Sequence, residues 1–201
     1  YSKELTIDKG NLISFVKFVK DNFYNDKNSY KNIRDNAVKN YNPTLITSDN
    51  ENVFNDQLEA APLGLSFIET IKAVINQFGL KSSDATIVYY VSYMLLDLLG
   101  VSKETRRKVK FRNMQTDSMH SFFGGYCDCF VSDDAGILKK SKILYKLFNI
   151  ETQIYSIDEF IKVFDEAIKN NQKSASEYFD EIRGDYQRRI VTKTETIPPY
   201  A

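Results

Sequence analysis

Residues 116–134 read TDSMHSFFGGYCDCFVSDD, with Asp117 near one end and Asp133 and Asp134 at the other. Adjacent carboxylates repel each other, and a divalent cation offsets that repulsion. Mg²⁺ and Mn²⁺ prefer oxygen ligands and keep several waters. Such an ion polarises a phosphoryl oxygen and activates a water, which is the chemistry of phosphodiester hydrolysis. Asp117 and Asp134 are therefore candidate metal ligands. Each also suits a helix N-cap, and the two roles can coexist. In an extended strand Asp128, Phe130, Ser132 and Asp134 share one face, while Cys127, Cys129, Val131 and Asp133 share the other. Only one of the two terminal acids then faces a shared site. Ser132 either contacts a ligand or water there or simply ends the strand. His120 is the only histidine; it suits phosphate contact or carboxylate orientation, against a packed, hydrogen-bonded structural role. Arg106, Arg107, Lys108, Lys110 and Arg112 precede Asp117 and are candidate phosphate contacts, read beside a solvated basic face. Lys139, Lys140 and Lys142 form a second such group.

These residues need elements to hold them. A short helix beginning at Asp117, broken at Gly124-Gly125, is expected to lead into an apolar strand over 126–131. A helix over 135–148 follows, with Ile137, Leu138, Ile143, Leu144 and Leu147 buried. A strand over 152–156 leads to a helix over 157–168 with Phe160, Ile161, Val163 and Phe164 on its core face. Helices alternating with strands predict a parallel sheet with covering helices. Active sites of such sheets lie beyond the carboxyl ends of the strands, where Asp133 and Asp134 stand. Upstream, the sequence predicts a short strand over 4–7 and a helix from Asn11 to about Phe23. A weaker helix carries Tyr30, Ile33 and Val38 and stops before Pro43. A helical turn over 55–60 comes next. Ser66 and Glu69 form a capping box for a helix closed at Gly79. Ser83-Asp84 opens a long apolar helix running through Leu99 and closed at Gly100, and a short basic helix covers 103–110. The expected organisation is an α/β domain over 1–168, then a helical extension and polar tail over 169–201.

The balance of 27 basic and 27 acidic residues gives no general argument for a polyanionic partner. Cys127 and Cys129, two apart in one strand, are poorly placed for a disulfide and read as buried small hydrophobes. A reducing, cytoplasmic setting is expected. The apolar run over 85–101 is short for a bilayer and contains Asp97, so no membrane partner is expected.

Asp117, His120, YCDCFVSDD, the Lys-rich ILKKSKILYKLF and TQIYSIDEF follow one another in an order that resembles the carboxyl-terminal half of PIN-domain nucleases, over roughly residues 110–165. Ser132-Asp133-Asp134 is similar to the family's closing Thr/Ser-x-Asp, and Asp117 to its helix acid. Asp8, or an acid preceding residue 1, matches the family's first-strand acid, and Glu69 its helical Glu. The resemblance implies a three-layer α/β/α sandwich around a parallel sheet. It also implies Mg or Mn held by Asp8, Glu69, Asp117 and Asp134, and endoribonuclease activity. Ser132, His120, Arg107, Lys110 and Arg112 would hold the RNA. Relatives include toxins of toxin–antitoxin pairs and RNA-processing enzymes, so an antitoxin or regulator is an expected protein partner, and a homodimer is possible. The alternatives are a PIN-like interaction module that does not cut, or a metal nuclease acting on DNA.

Overall fold

The computed structural model describes residues 10–40, 64–101, 111–170 and 174–192. Asn11 starts α1 (Leu12–Val19): its Oδ1 accepts from the amides of Ile13 and Ser14 at 2.9 and 3.3 Å. The helix continues as a π-helical turn, Lys20–Tyr24, and α2 (Lys27–Asn40) follows. The capping box forms as the sequence predicts at α3 (Phe67–Gln77). Ser66 N donates to Glu69 Oε2 at 2.8 Å, and Glu69 N donates to Ser66 Oγ at 3.2 Å. Gly79 closes the helix at φ +63°, a left-handed conformation that side chains resist. Phe78, at that end, meets Phe15 of α1 edge-on at 4.8 Å.

Asp84 caps α4 (Ala85–Leu98) through Thr86 N and Ile87 N. From Tyr89 to Leu98 every residue of α4 is buried. A helix apolar all round belongs inside a core, and α4 packs against α2, α3 and the two helices that follow.

Those helices are α5 (Phe111–Gly124) and α6 (Ala135–Leu147), and between them lies β1 (Cys129–Ser132). After α6 comes β2 (Gln153–Ser156), paired parallel to β1 from Cys129↔Gln153 to Ser132↔Ser156. This β–α–β unit is the parallel pairing expected from the alternation of helix and strand. The described residues make a mixed α/β fold, mostly helical, with one two-stranded sheet. Thr152 Oγ1 donates within reach of Gly125 O (3.0 Å) and Cys127 O (2.8 Å), tying the turn before β1 to the approach to β2. A Cβ at Gly124 would lie 2.5 Å from Phe130 Cδ2 and 2.9 Å from the Tyr145 hydroxyl. A side chain there would keep α5 from closing on β1 and α6.

Several expectations change. Helix α5 begins at Phe111, so Asp117 sits two turns inside it and is not a helix start. The strand is shorter and later than 126–131. Cys127 falls before it and is exposed, and Cys129 is half-buried, so they are not a buried pair. The strand over 4–7, the turn over 55–60 and the basic helix over 103–110 lie outside the described residues.

The contacts divide the chain into two compact units, Tyr1–Ser156 and Ile157–Ala201. The division falls ahead of α7 (Ile157–Asn170), the helix whose apolar side was expected to join the sheet domain. Ile161, Val163 and Phe164 are exposed instead of buried, and Phe160 is half-buried. The second unit also contains α8 (Ala175–Thr192).

Candidate functional site

Asp134 stands two residues beyond the end of β1 and caps α6. Its Oδ1 accepts from Gly136 N at 2.7 Å and Ile137 N at 3.0 Å. Ser132 Oγ accepts from Asp134 N at 3.1 Å, bending the chain out of the strand into the cap. Strand alternation therefore stops at Ser132, and the cap, not the strand face, sets the position of Asp134. Its Oδ2 takes no part in the cap. Asp133 is exposed beside it.

Asp117 is half-buried on α5. Tyr93 of α4 is fully buried, and its hydroxyl has no hydrogen-bond partner among the described residues. Burial first, then the charges of Asp117, Asp97 and Asp134, push the Tyr93 phenol far above its ordinary range. Tyr93 is thus a neutral donor in the field of carboxylates from α5 and from the β1–α6 junction. A buried hydroxyl is costly to leave unmade, by about 1–3 kcal/mol.

Beneath Tyr93 lies a buried ionic network absent from the sequence expectations. Lys140 Nζ is 2.8 Å from Asp97 Oδ1, and both side chains are nearly inaccessible. Tyr24 and Tyr30 each donate to Asp97 Oδ2 at 2.9 Å. The Lys140 ammonium also stands 4.8 Å from the Tyr93 ring centroid. Burial works to raise the Asp97 carboxyl, but the Lys140 charge and the donors from Lys140, Tyr24 and Tyr30 outweigh it and hold it below the usual carboxylate range. Tyr24, by burial and then by Asp97, is pushed well up and stays neutral. Lys140 is therefore committed to Asp97 and does not serve as a phosphate contact. The signal was present in the sequence: Asp97 interrupts an apolar helix, and Lys140 stands three residues from Ile137 and four from Leu144, on the buried stripe of α6.

A second buried network joins α4, α5 and α6. The Tyr89 hydroxyl bonds Ser121 Oγ, which bonds Ser141 Oγ at 2.5 Å, and the Tyr145 hydroxyl donates to Ser121 O at 2.5 Å. The helix that carries Asp117 and the helix that Asp134 caps are thereby locked to α4 by directional contacts.

The other candidates are placed differently. Glu69 is exposed in its capping box, and the Ser66 backbone amide first, then the Ser66 hydroxyl, hold its carboxyl below the ordinary value. His120 is exposed, in a shallow groove with Arg112, Gln115, Thr116 and Met119, so it is not a packed structural histidine. Arg112 is exposed at the start of α5. Asp8, Arg107 and Lys110 lie outside the described residues. Among the described residues no three of His, Cys, Asp and Glu gather as a metal site. Two carboxylates with water completing the shell remain compatible with Mg²⁺, which is often held through one or two carboxylates. No helix among the described residues is long and apolar enough to cross a membrane. Compared with family models, curated proteins and solved structures, the chain finds no significant match.

Proposed function

We propose that the chain is a metal-dependent ribonuclease whose β1–α6–β2 unit is the carboxyl-terminal half of a PIN-like three-layer sandwich. One observation carries the reading: a parallel β–α–β unit has Asp134 just beyond the carboxyl end of its first strand, and Asp117 lies on the helix before that strand. That is the placement expected of an active site beyond the carboxyl end of a parallel strand.

Asp117 and Asp134 would hold Mg²⁺ or Mn²⁺, with Asp8 as a further ligand. The ion, when bound, supplies Lewis-acid polarisation of the phosphoryl group and a more acidic water. The chain's own residues do the positioning. The cap on α6 fixes one oxygen of Asp134 and leaves the other to face the ligand. Tyr93 stays protonated in its buried position. The Asp97–Lys140 pair holds the Tyr93 ring from below.

The test is cleavage of labelled single-stranded RNA in Mn²⁺ by wild type, Asp117→Asn and Asp134→Asn. Loss of cleavage by about 10²-fold or more in both variants is expected, the size of effect seen when an electrostatic catalytic group is removed. Undiminished cleavage in both overturns the reading. A second reading is a PIN-like module that does not cut. It is favoured by the engagement of Glu69 in its own cap and by the lack of a third gathered acid among the described residues. Calorimetric titration with Mn²⁺ separates the two, since a module gives no heat at millimolar metal. Cutting of DNA in preference to RNA would instead assign the third reading, a DNA nuclease.

A further inference from the structure

A cleft of about 910 Å³ opens beside α1, the π-helical turn and the start of α5. Lys17, Lys20 and Arg112 line it against a single carboxylate, Asp21. All three cations are exposed, and none is held in an ion pair among the described residues. One wall is aromatic: the Tyr24 and Phe111 rings meet edge-on with centroids 5.0 Å apart. The Tyr24 hydroxyl is tied to Asp97, so the ring is set in place before any ligand arrives. A shallower groove of about 340 Å³ shares Arg112 and Gln115 with the cleft and runs on along α5 to His120. From Arg112 to His120 is about 12 Å of helix. His120 is three residues from Asp117, hence its neighbour on the helix surface.

Spaced cations along an open channel suit a chain of phosphates better than one phosphate. A fixed aromatic wall suits bases better than an acidic peptide. Stacking platforms combined with a positive groove are the general means of holding single strands. We propose that this channel is a binding track for a single-stranded polynucleotide, with Lys17, Lys20 and Arg112 on its phosphodiester backbone and a base resting against Tyr24. The track hands the strand towards His120 and Asp117. Its link to cleavage rests on the nuclease reading; binding itself does not.

The test is fluorescence anisotropy of labelled single-stranded RNA and DNA with the full chain in EDTA, across a salt series. Lys17→Gln/Lys20→Gln is compared with Lys72→Gln/Lys81→Gln, which removes the same charge from exposed positions outside the cleft. The first pair is expected to weaken binding about ten-fold at low salt and to flatten the log–log salt slope by about 1.4, two contacts at about 0.7 each. The second pair is expected to change little. Tighter binding of RNA than DNA, or equal binding, both support the track and show whether the ribose hydroxyl is read. Equal weakening by both pairs, or none by the first, overturns it. So does displacement of the RNA by polyglutamate as readily as by polyuridylate, which would assign the groove to an acidic protein. If wild type binds RNA through Lys17 and Lys20 but cuts nothing in Mn²⁺, the nuclease reading fails and the track stands. If cleavage depends on Asp134 while Lys17→Gln/Lys20→Gln binds and cuts as wild type, the track alone fails.

Discussion

At Asp134 one carboxylate oxygen is committed to the first turn of α6 and the other is left outside the cap. Structure and chemistry at this residue can therefore be separated. Asn caps a helix about as well as Asp, whereas Ala loses roughly 1 kcal/mol. Asp134→Asn is expected to keep the wild-type denaturation midpoint and lose Mn²⁺ affinity, while Asp134→Ala loses both. Urea titrations alongside calorimetry check this, and equal metal binding by wild type and Asp134→Asn would remove Asp134 from the site. At Lys140 the logic reverses. Removing one member of a buried pair leaves a charge without compensation, at about 3–5 kcal/mol, whereas replacing both with apolar residues is often neutral. Lys140→Met is expected to destabilise by that amount and Asp97→Leu/Lys140→Met by much less, as measured by urea denaturation. The place of the lysine on the apolar stripe of α6 was legible, but its partner was not, because only packing against α4 brings it to Asp97.

Local signals placed the element ends well where a side chain or glycine satisfies the backbone directly. The Ser66–Glu69 box, the Asp84 and Asp134 caps and the Gly79 and Gly100 closures all depend on residues within a few positions of each other. The limits of β1 were misread, because strand length here is set by pairing with β2, a partner more than twenty residues away. The glycine pair at the end of α5 was read as a break, and Gly124 proves to be a point of contact. Substituting Gly124→Ala would press a methyl group into Phe130 and the Tyr145 hydroxyl. Overpacking of this kind costs about 1–3 kcal/mol. Gly125→Ala, whose Cβ would meet no atom closer than 3.2 Å, is expected to cost less. Thermal melts of the two variants test the order, and a Gly124→Ala protein as stable as wild type would mean that α5 and β1 are less closely packed than described.

Across the first unit, Asp97 joins four segments through one carboxylate: the π-helical turn and α2 by their tyrosines, α6 by Lys140, and its own α4. Its folded-state carboxyl lies below the unfolded value of about 3.9. The folded state then binds fewer protons than the unfolded one as the pH drops below that value. The stabilisation is complete above the unfolded pKa and is lost as pH falls through the folded one. Acid denaturation followed by circular dichroism is expected to weaken wild type steeply below about pH 4, and Asp97→Asn, already destabilised, should show a flatter dependence. A parallel profile for the two proteins would assign the acid sensitivity to other carboxylates. The sequence by itself determined the helices with strong caps and the β–α–β order, because these depend on local propensity and on residue chemistry. The tertiary structure alone decided that Tyr93 is buried against Lys140, that Lys140 is spent on Asp97, that α7 exposes its apolar side, and that Lys17 and Lys20 share a channel with Arg112. These are distances between residues far apart in the chain, and hydrophobic periodicity records which face of a helix is apolar but not what lies against it.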